Sequence, residues 1–261
     1  MKTVGREALQ TVFSPLPWGV CPFADVKDKL LDVRSISRIP ENAQSVLVVL
    51  FPYLLEEEQY EYTLLSRFAV PADYHLLCGE ILQAMCADLK EAYPANTFAA
   101  FADISPLPEV YAAAKAGVGV IGKNGLLINE NYGSWVFIGE IITDLPVASA
   151  QQDIKTCIGC DACMRACPTG ALTEHGVQID RCLSYISQKK KITDEEEQLL
   201  KQYPTLWGCD RCQKMCPQNR PAQTTPLANF RESAQNKQNR VWEWRIAAFE
   251  RNTEMLKMND E

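Results

Sequence analysis

The hydrophobic pattern of the first 150 residues alternates continuous apolar runs with amphipathic stretches. The runs at Ser45–Pro52 and at residues 97–102 show no polar alternation, which predicts strands buried on both faces. Residues 74–93, between them, carry apolar side chains at helical spacing and predict a covering helix. A second, shorter helix is predicted over residues 109–116. This arrangement indicates a sheet covered by helices, of the α/β or α+β class.

A hairpin is predicted near the end of this region. Residues 125–128 and 135–143 are strand-like, and the turn residues Asn131 and Gly133 lie between them. Two such runs joined by a short turn are typical of paired neighbouring strands.

After Pro146 the apolar runs shorten and cysteines become the recurrent residue type. Thr193 and Glu196 have capping-box spacing, so a helix is predicted to start there. Residues 239–258 carry an imperfect apolar stripe, including Val241, Trp244 and Phe249, and predict a helix that packs on the body. We therefore predict an amino-terminal domain at residues 1–150, a ferredoxin-like metal-binding domain at 151–225, and a helical extension at 226–261.

Composition excludes several classes of protein. The 261 residues are 47% hydrophobic and 23% charged, which is ordinary for a globular chain and excludes a disordered one. The longest apolar stretch, residues 45–55, is too short to cross a bilayer, and no export signal opens the sequence. A net charge of −7 excludes a polycation. We expect a soluble, cytoplasmic protein without membrane contact.

Eight of the eleven cysteines fall within sixty residues. Thiols this dense in a cytoplasmic chain indicate metal ligands rather than disulfides, because the cytosol keeps them reduced. The remaining three, Cys21, Cys78 and Cys86, lie in apolar or helical surroundings and are predicted to be buried side chains.

Cysteine spacing favours iron–sulfur clusters. The first group follows the pattern C-x2-C-x2-C-x3-C-P of bacterial ferredoxins, in which the fourth cysteine serves the other cluster. The second group repeats the x3-C-P ending, so we expect the same crossed ligation of two 4Fe–4S clusters. One cluster is assigned to Cys157, Cys160, Cys163 and Cys216, and the other to Cys167, Cys182, Cys209 and Cys212. Zinc is the alternative, but zinc ribbons use two separated C-x2-C pairs and need no third thiolate.

The glycines Gly117, Gly119 and Gly122 match the dinucleotide-binding pattern G-x-G-x-x-G. Their loop, however, follows a predicted helix and enters a strand. This order is the reverse of the one that places a phosphate at a helix amino terminus, so the pattern does not favour a dinucleotide site.

Several segments combine with the cysteines to give a resemblance to a known family. They are Asp73-Tyr74-His75, Asp103 to Glu109 (D-x-x-P-x-x-E), residues 116–124 (A-G-x-G-x-I-G-K-N), Tyr132 to Glu140 (Y-G-S-x-x-x-x-G-E), C-x-S-Y from Cys182, and G-C-D-x-C-Q-x-x-C-P-x-N from Gly208. Over roughly residues 45–220 the chain resembles the epoxyqueuosine reductases, which modify tRNA. The resemblance implies a cobalamin beside two 4Fe–4S clusters and reduction of the epoxide of epoxyqueuosine to give queuosine.

The resemblance also implies roles for individual residues. Asp103 would be the acid that protonates the epoxide oxygen, and such an acid needs a raised pKa to hold its proton near neutrality. The residues alone favour an aspartate at a helix start over an acid, and His75 suits a structural hydrogen-bonding role. Cobalamin contacts, largely through backbone atoms, are implied at Leu127, Ile138, Ser184 and Asp210.

Partners follow from the same resemblance. It implies tRNA, bound near its anticodon, and an electron donor such as flavodoxin or ferredoxin. Residues 150–240 hold thirteen basic and ten acidic residues, whereas the rest of the chain carries a charge of −10. The run Lys189-Lys190-Lys191 therefore suits phosphate contacts, although these charges would also neutralise the clusters.

Two other functions remain open at this point. Val70-Pro71-Ala72 stands where the family has an arginine–glycine element, and both ends of the chain match poorly, so a short, divergent member is implied. One alternative is a ferredoxin-like electron carrier without its own catalysis. The other is a corrinoid reductase that acts on a small molecule.

Overall fold

The computed structural model of the chain describes residues 3–60, 64–150, 152–236, 243 and 245–257. The strands are β1 (Trp18–Pro22), β2 (Ser45–Pro52), β3 (Phe98–Ala102), β4 (Val120–Ile121), β5 (Leu127–Ile128), β6 (Val136–Thr143), β7 (Leu172–Thr173) and β8 (Gly176–Val177). The α-helices are α1 (Gln10–Phe13), α2 (Tyr74–Ala92), α3 (Glu109–Lys115), α4 (Ala162–Ala166), α5 (Leu183–Gln188), α6 (Asp194–Gln202), α7 (Arg211–Lys214), α8 (Ala228–Asn236) and α9 (Ile246–Lys257).

A four-stranded antiparallel sheet, in the order β1-β2-β6-β3, forms the centre of the amino-terminal region. Every residue of β2 is buried. This burial explains the continuous apolar run, because both faces of the strand are covered.

Helix α2 covers one face of the sheet and α3 covers the other. On the first face, Leu82 and Leu89 of α2 pack in one core with Leu47 of β2. On the second face, Val48 of β2 packs with the alanines of α3, whose small side chains allow the helix to approach closely. The predicted class, a sheet covered by helices and followed by a cluster module, is confirmed.

The predicted hairpin is wrong. Strand β5 pairs with β4, whereas β6 pairs with β2 and β3. The chain does turn tightly, since Asn129 and Gly133 exchange backbone hydrogen bonds. The long β6 buries its apolar side chains in the central sheet, and this burial separates it from the two-residue β5.

The carboxy-terminal region is built from short elements. Helices α4 and α7 contact each other, and α5 contacts both α6 and α9. Helix α6 begins after Thr193 with the predicted capping box. Helix α9 confirms part of the predicted final helix, while Val241 and Trp244 lie outside the described residues.

No helix among the described residues is both long and apolar enough to cross a membrane.

Candidate active site and cluster-binding region

The eight clustered cysteines separate into two groups around two cavities. A small cavity is lined by four of them: Cys157, Cys160, Cys163 and Cys216. A larger cavity is lined by the other four: Cys167, Cys182, Cys209 and Cys212. Each group therefore mixes cysteines from both sequence motifs, which is the crossed pattern of double-cluster ferredoxins. Four thiols around one cavity also form a suitable ligand set for an iron–sulfur cluster.

Electrostatic neighbours give the same grouping. Burial raises the pKa of Cys163, and the adjacent Cys157 and Cys216 raise it further. Burial, Cys209 and Cys182 together raise the pKa of Cys212 to about 12.

Short helices place these thiols. Cys163 lies on α4 and Cys212 on α7, and these two helices are in contact. Cys182 immediately precedes α5, so its thiol stands at a helix amino terminus. Cys160 is exposed, so the first group lies at the protein surface.

The larger cavity has a volume of about 530 Å³. Its walls combine the second cysteine group with apolar side chains from the amino-terminal region, among them Phe68, Val136 and Phe137. In the part of the chain that the structure describes, no bulky side chain closes the space beside these thiols. The cavity therefore has room for an apolar, planar group next to a metal cluster.

The four residues predicted to contact cobalamin occupy different environments. Ser184 lines the larger cavity. Leu127 is buried in the second core and Ile138 packs against it. Asp210 is buried and bonds other protein groups: its carboxylate accepts hydrogen bonds from the Ser66 hydroxyl at 2.5 Å and from the backbone amide of Arg67 at 2.7 Å.

A chain of three side chains links Asp103 to the start of α2. Asp73 caps the helix by accepting a hydrogen bond from the backbone amide of His75. Its Oδ1 also lies 2.6 Å from His75 Nδ1, while His75 Nε2 lies 3.0 Å from Asp103 Oδ2. The Asp73 side chain is 1% exposed and that of Asp103 is 48% exposed. This hydrogen-bonded series of side chains thus runs from the buried Asp73 to the solvent-accessible carboxylate of Asp103.

The expectation of a raised pKa at Asp103 is wrong. The hydrogen bond from His75 lowers the pKa of Asp103, and Tyr74 and Arg245 contribute in the same direction. Burial lowers the pKa of His75, but its bonds to Asp103 and Asp73 raise it to about 9. At neutral pH the proton therefore resides on the imidazole and the carboxylate is ionised.

Asp103 does not cap a helix, because α3 starts later, after Pro108. It directly follows β3 and has a φ of 65°. This left-handed conformation is uncommon outside glycine and, in a non-glycine residue, often marks a functional site.

Two glutamates, one fully buried and one partly buried, lie close to the Asp103 loop. Glu140 is fully buried on β6, and its carboxylate makes no well-formed hydrogen bond among the described residues, although the Ser105 side chain acts on its pKa in the lowering direction. Burial and the charge of Asp103 raise the pKa of Glu109 to about 8. Burial also raises the pKa of Glu140, and Glu109 raises it further. Glu109 is therefore largely protonated at neutral pH, and burial disfavours the charged form of Glu140.

A polar network joins the amino-terminal region to the cluster region, and sequence reasoning assigned it no role. Asn219 donates to the Ser134 hydroxyl at 2.8 Å and to the Gln213 carbonyl at 2.9 Å. Its Oδ1 accepts from the Ser134 amide at 2.8 Å. Gly133, with a φ of 56°, lies so close that a Cβ there would be 2.4 Å from Asn219 Oδ1. All four residues belong to the sequence motifs that carry the family resemblance. Their presence in those motifs was the only signal in the sequence that could have indicated this network.

The glycine-rich loop serves packing. A Cβ on Gly119 would lie 2.7 Å from the Ile128 carbonyl oxygen, and one on Gly122 would lie 2.4 Å from the Asn124 side chain. The loop leads into β4 rather than into a helix. These contacts account for the glycines without a bound dinucleotide.

Two family models match the chain. Residues 156–219 match a "4Fe-4S double cluster binding domain", and residues 34–104 match "Epoxyqueuosine reductase QueG, DUF1730". The first match supports two 4Fe–4S clusters rather than zinc.

Curated relatives include an epoxyqueuosine reductase of Aliivibrio fischeri, 38% identical over 64% of this chain and 45% of the relative. An epoxyqueuosine reductase of Escherichia coli K12 is 37% identical over 63% of this chain and 44% of the relative. The chain spans about half the length of the curated relatives it matches.

Solved structures establish the fold. An epoxyqueuosine reductase from Streptococcus thermophilus is 22% identical, with a TM-score of 0.76 over 96% of this chain and 79% of that one. An epoxyqueuosine reductase with an epoxyqueuosine-modified tRNA-Tyr stem loop is 21% identical, with a TM-score of 0.76 and the same coverage. A reductive dehalogenase described as B12-dependent is 19% identical, with a TM-score of 0.53 over 93% of this chain and 33% of that one.

Proposed function

We propose that this chain is a member of the epoxyqueuosine reductase family and that it reduces epoxyqueuosine to queuosine in tRNA. The reaction consumes two electrons and two protons, breaks both carbon–oxygen bonds of the epoxide and releases the oxygen as water. One observation carries the proposal: a single cavity brings four cysteine thiols beside an apolar wall, and Phe137 of that wall stacks on Tyr74, which in turn stacks on His75. His75 belongs to the hydrogen-bonded series that ends at Asp103.

The cysteine grouping supports a ligand assignment for each cluster. Cys157, Cys160, Cys163 and Cys216 bind the outer cluster, whose ligand Cys160 is exposed to solvent. Cys167, Cys182, Cys209 and Cys212 bind the inner cluster at the larger cavity. Electrons would enter at the surface and reach the cavity through two adjacent centres.

The larger cavity suits a cobalamin. Its apolar lining and its proximity to the inner thiols fit a flat macrocycle that receives electrons, and the dehalogenase with a similar fold is described as B12-dependent. When bound, a reduced corrinoid supplies the electron pair that opens the epoxide. Ser184 lines this space and is our proposed contact, while Leu127, Ile138 and Asp210 stay predictions.

Asp103 and His75 together serve as the proton source. His75 holds a proton at Nε2, and Asp103 Oδ2 accepts the hydrogen bond from it. As negative charge develops on the epoxide oxygen, the proton passes through Asp103 to that oxygen and the imidazole becomes neutral. Asp73 keeps the imidazole oriented through Nδ1.

The partners follow from this reaction. The substrate is tRNA near its anticodon, which agrees with the stem loop described in a structure of similar fold. The electron donor is a small redox protein such as flavodoxin or ferredoxin, and a tRNA substrate places the reaction in the cytoplasm. Residues 1–150 would hold the corrinoid and the substrate base, residues 151–225 the clusters, and residues 226–261 a helical extension.

The proposal is tested with protein reconstituted anaerobically with iron, sulfide and cobalamin. Incubated with a chemical reductant and an epoxyqueuosine-containing stem loop, it should form queuosine, detected by mass spectrometry of the nucleosides. Cys212→Ser should abolish product, and Cys86→Ser, outside both groups, should not. Bound clusters without bound corrinoid or product would instead indicate an electron carrier. Bound corrinoid without product would indicate a different substrate.

A further inference from the structure

A second cavity with strongly basic walls adjoins the proposed active site. We name it the lysine cleft, and it is lined by Tyr185, Gln188, Lys189, Lys190, Lys191 and Arg245. Its volume is about 520 Å³. Tyr185 and Gln188 also line the larger cavity, so the two spaces share a wall.

The positive charge of the cleft is only partly neutralised. Lys189 forms an ion pair with Glu196 at 2.6 Å. Lys190 and Lys191 are exposed, and within the described ranges no carboxylate forms an ion pair with either. Arg245 is exposed and donates to the Gln188 backbone carbonyl at 3.1 Å, while its charge also acts on the Asp103 carboxylate. Two lysines without an ion pair in the described part of the chain, and one arginine whose charge is shared with Asp103, therefore line a concave space.

Helix α9 fixes the backbone of this cleft. Arg251 donates to the Lys189 carbonyl at 2.9 Å. Asn252, which is fully buried, donates to the Ser187 carbonyl at 2.9 Å and to the Leu206 carbonyl at 2.8 Å. The loop after α5 is thus held by side chains from the end of the chain. A loop held in this way loses little conformational freedom when it binds a ligand.

The chemistry of the walls selects a nucleic-acid strand. Lysine and arginine side chains bind phosphate oxygens strongly. Tyr185 is 41% exposed at the junction of the two cavities, and Lys189 Nζ lies over its ring at 5.7 Å from the centroid. A base stacked on this exposed ring would place its phosphate near the lysines. A free nucleoside lying in the larger cavity would offer no phosphate to the cleft. A strand that enters both cavities would satisfy the cations and the aromatic ring together.

We propose that the lysine cleft binds the phosphodiester backbone beside the nucleotide that reacts, with Tyr185 stacked on a neighbouring base. The inference rests on the proposed function and adds the residues that distinguish an RNA strand from a nucleoside. An acidic protein partner is the competing occupant, but a concave space continuous with the reaction cavity suits a strand better than a folded surface.

The test measures binding of a fluorescent, unmodified anticodon stem loop by anisotropy at several salt concentrations. The double variant Lys190→Ala/Lys191→Ala should weaken binding by roughly 10- to 100-fold. It should also reduce the slope of log affinity against log salt by about 2, because each lysine bound to a phosphate contributes about one to that slope. The control Lys201→Ala/Lys257→Ala removes the same charge elsewhere and should bind nearly as the unaltered protein does. Tyr185→Leu should weaken binding with no change in the salt slope.

A second measurement separates the cleft from the reaction site. Turnover of free epoxyqueuosine nucleoside should be unchanged in the lysine variant, while KM for the stem loop rises. Unchanged stem-loop affinity and salt slope would overturn the inference, and so would equal losses for nucleoside and stem loop. Slower reduction by an acidic donor protein, with RNA binding intact, would assign the cleft to that donor and also overturn it. Because the binding measurement needs no turnover, it tests the lysine cleft even if the protein does not catalyse the proposed reaction.

Discussion

At the scale of single residues, Asp103 combines a left-handed backbone with an ion pair to His75. Aspartate and asparagine tolerate this conformation better than most residues, but it still costs free energy. The surrounding loop therefore holds the carboxylate at a defined position in front of the imidazole. This placement matters for proton transfer, which needs the donor and the acceptor within hydrogen-bonding distance.

Asp103→Asn should lower turnover of the epoxide by about 10²- to 10⁴-fold, because the amide cannot pass a proton. The free energy of unfolding should change little, since asparagine also tolerates a positive φ. Single-turnover kinetics and denaturant unfolding check the two statements. Asp180→Asn, at an exposed aspartate, is the matched control. Full activity of Asp103→Asn would remove the carboxylate from the proton path.

The pH dependence should follow His75. Folding raises the pKa of His75 to about 9, so the proton is present at neutral pH and is lost as the pH rises through that value. Single-turnover rates should therefore fall above pH 9. His75→Gln should be slower at pH 7 and should lack this alkaline limb. A variant that keeps the same limb would contradict the assignment.

The buried Glu140 should make stability depend on pH in the opposite sense to a carboxylate whose pKa is lowered by folding. A carboxyl whose pKa is raised by folding stabilises the fold fully below its unfolded pKa, and this contribution is lost as the pH rises towards the folded pKa. The free energy of unfolding should therefore fall above about pH 5. Glu140→Gln should reduce this fall, because the amide has no proton to lose. Urea unfolding from pH 5 to 8 measures it, with Glu91→Gln as the exposed control.

At the scale of elements, regular patterns predicted the structure where burial and periodicity agree. The run Ser45–Pro52 has the predicted bounds because it is buried on both faces. Helix α2 ends one residue before its predicted end. The hairpin prediction failed because local turn signals do not say which partner a strand finds. Strand β1 was missed, since a glycine and a proline interrupt its five residues.

In the candidate site, too, some features were predictable from the sequence and others were not. Spacing along the chain indicated the cysteine groups, because short loops hold ligands of one cluster near each other. The contact between His75 and Asp103 joins residues 28 positions apart and depends on how α2 lies beside β3. Such a contact, and the pKa shifts that it causes, emerge only from tertiary packing.

Asn219→Ala should destabilise the junction between the two regions. It removes two donated hydrogen bonds and one accepted bond in a buried setting, so a cost of about 2–3 kcal/mol in the free energy of unfolding is expected. Thermal unfolding of the reconstituted protein measures it. Gln202→Ala, at an exposed end of α6, should cost little. An Asn219→Ala protein as stable as this control would show that the network is not a structural link.

At the scale of the whole molecule, the chain combines a region with a large apolar core and a region held by metal. Removing iron with a chelator should release the second region while leaving the sheet folded, because short elements cannot maintain their packing without the metal. Hydrogen exchange should become fast in residues 157–216 and stay slow in β2 and β6. Uniform loss of protection would contradict this division.

Helix α5 connects the two proposed sites, because Cys182 stands at its start and the lysine cleft lies at its end. Its six residues rise by only about 9 Å, which is near enough for charges at the two ends to influence each other. An electron gained at the Cys182 end would therefore disfavour a phosphate at the other. If RNA occupies the cleft as proposed, thermodynamic reciprocity requires it to make the inner cluster harder to reduce by the same free energy. The affinity for RNA would therefore differ between the oxidised and the reduced states of the inner cluster.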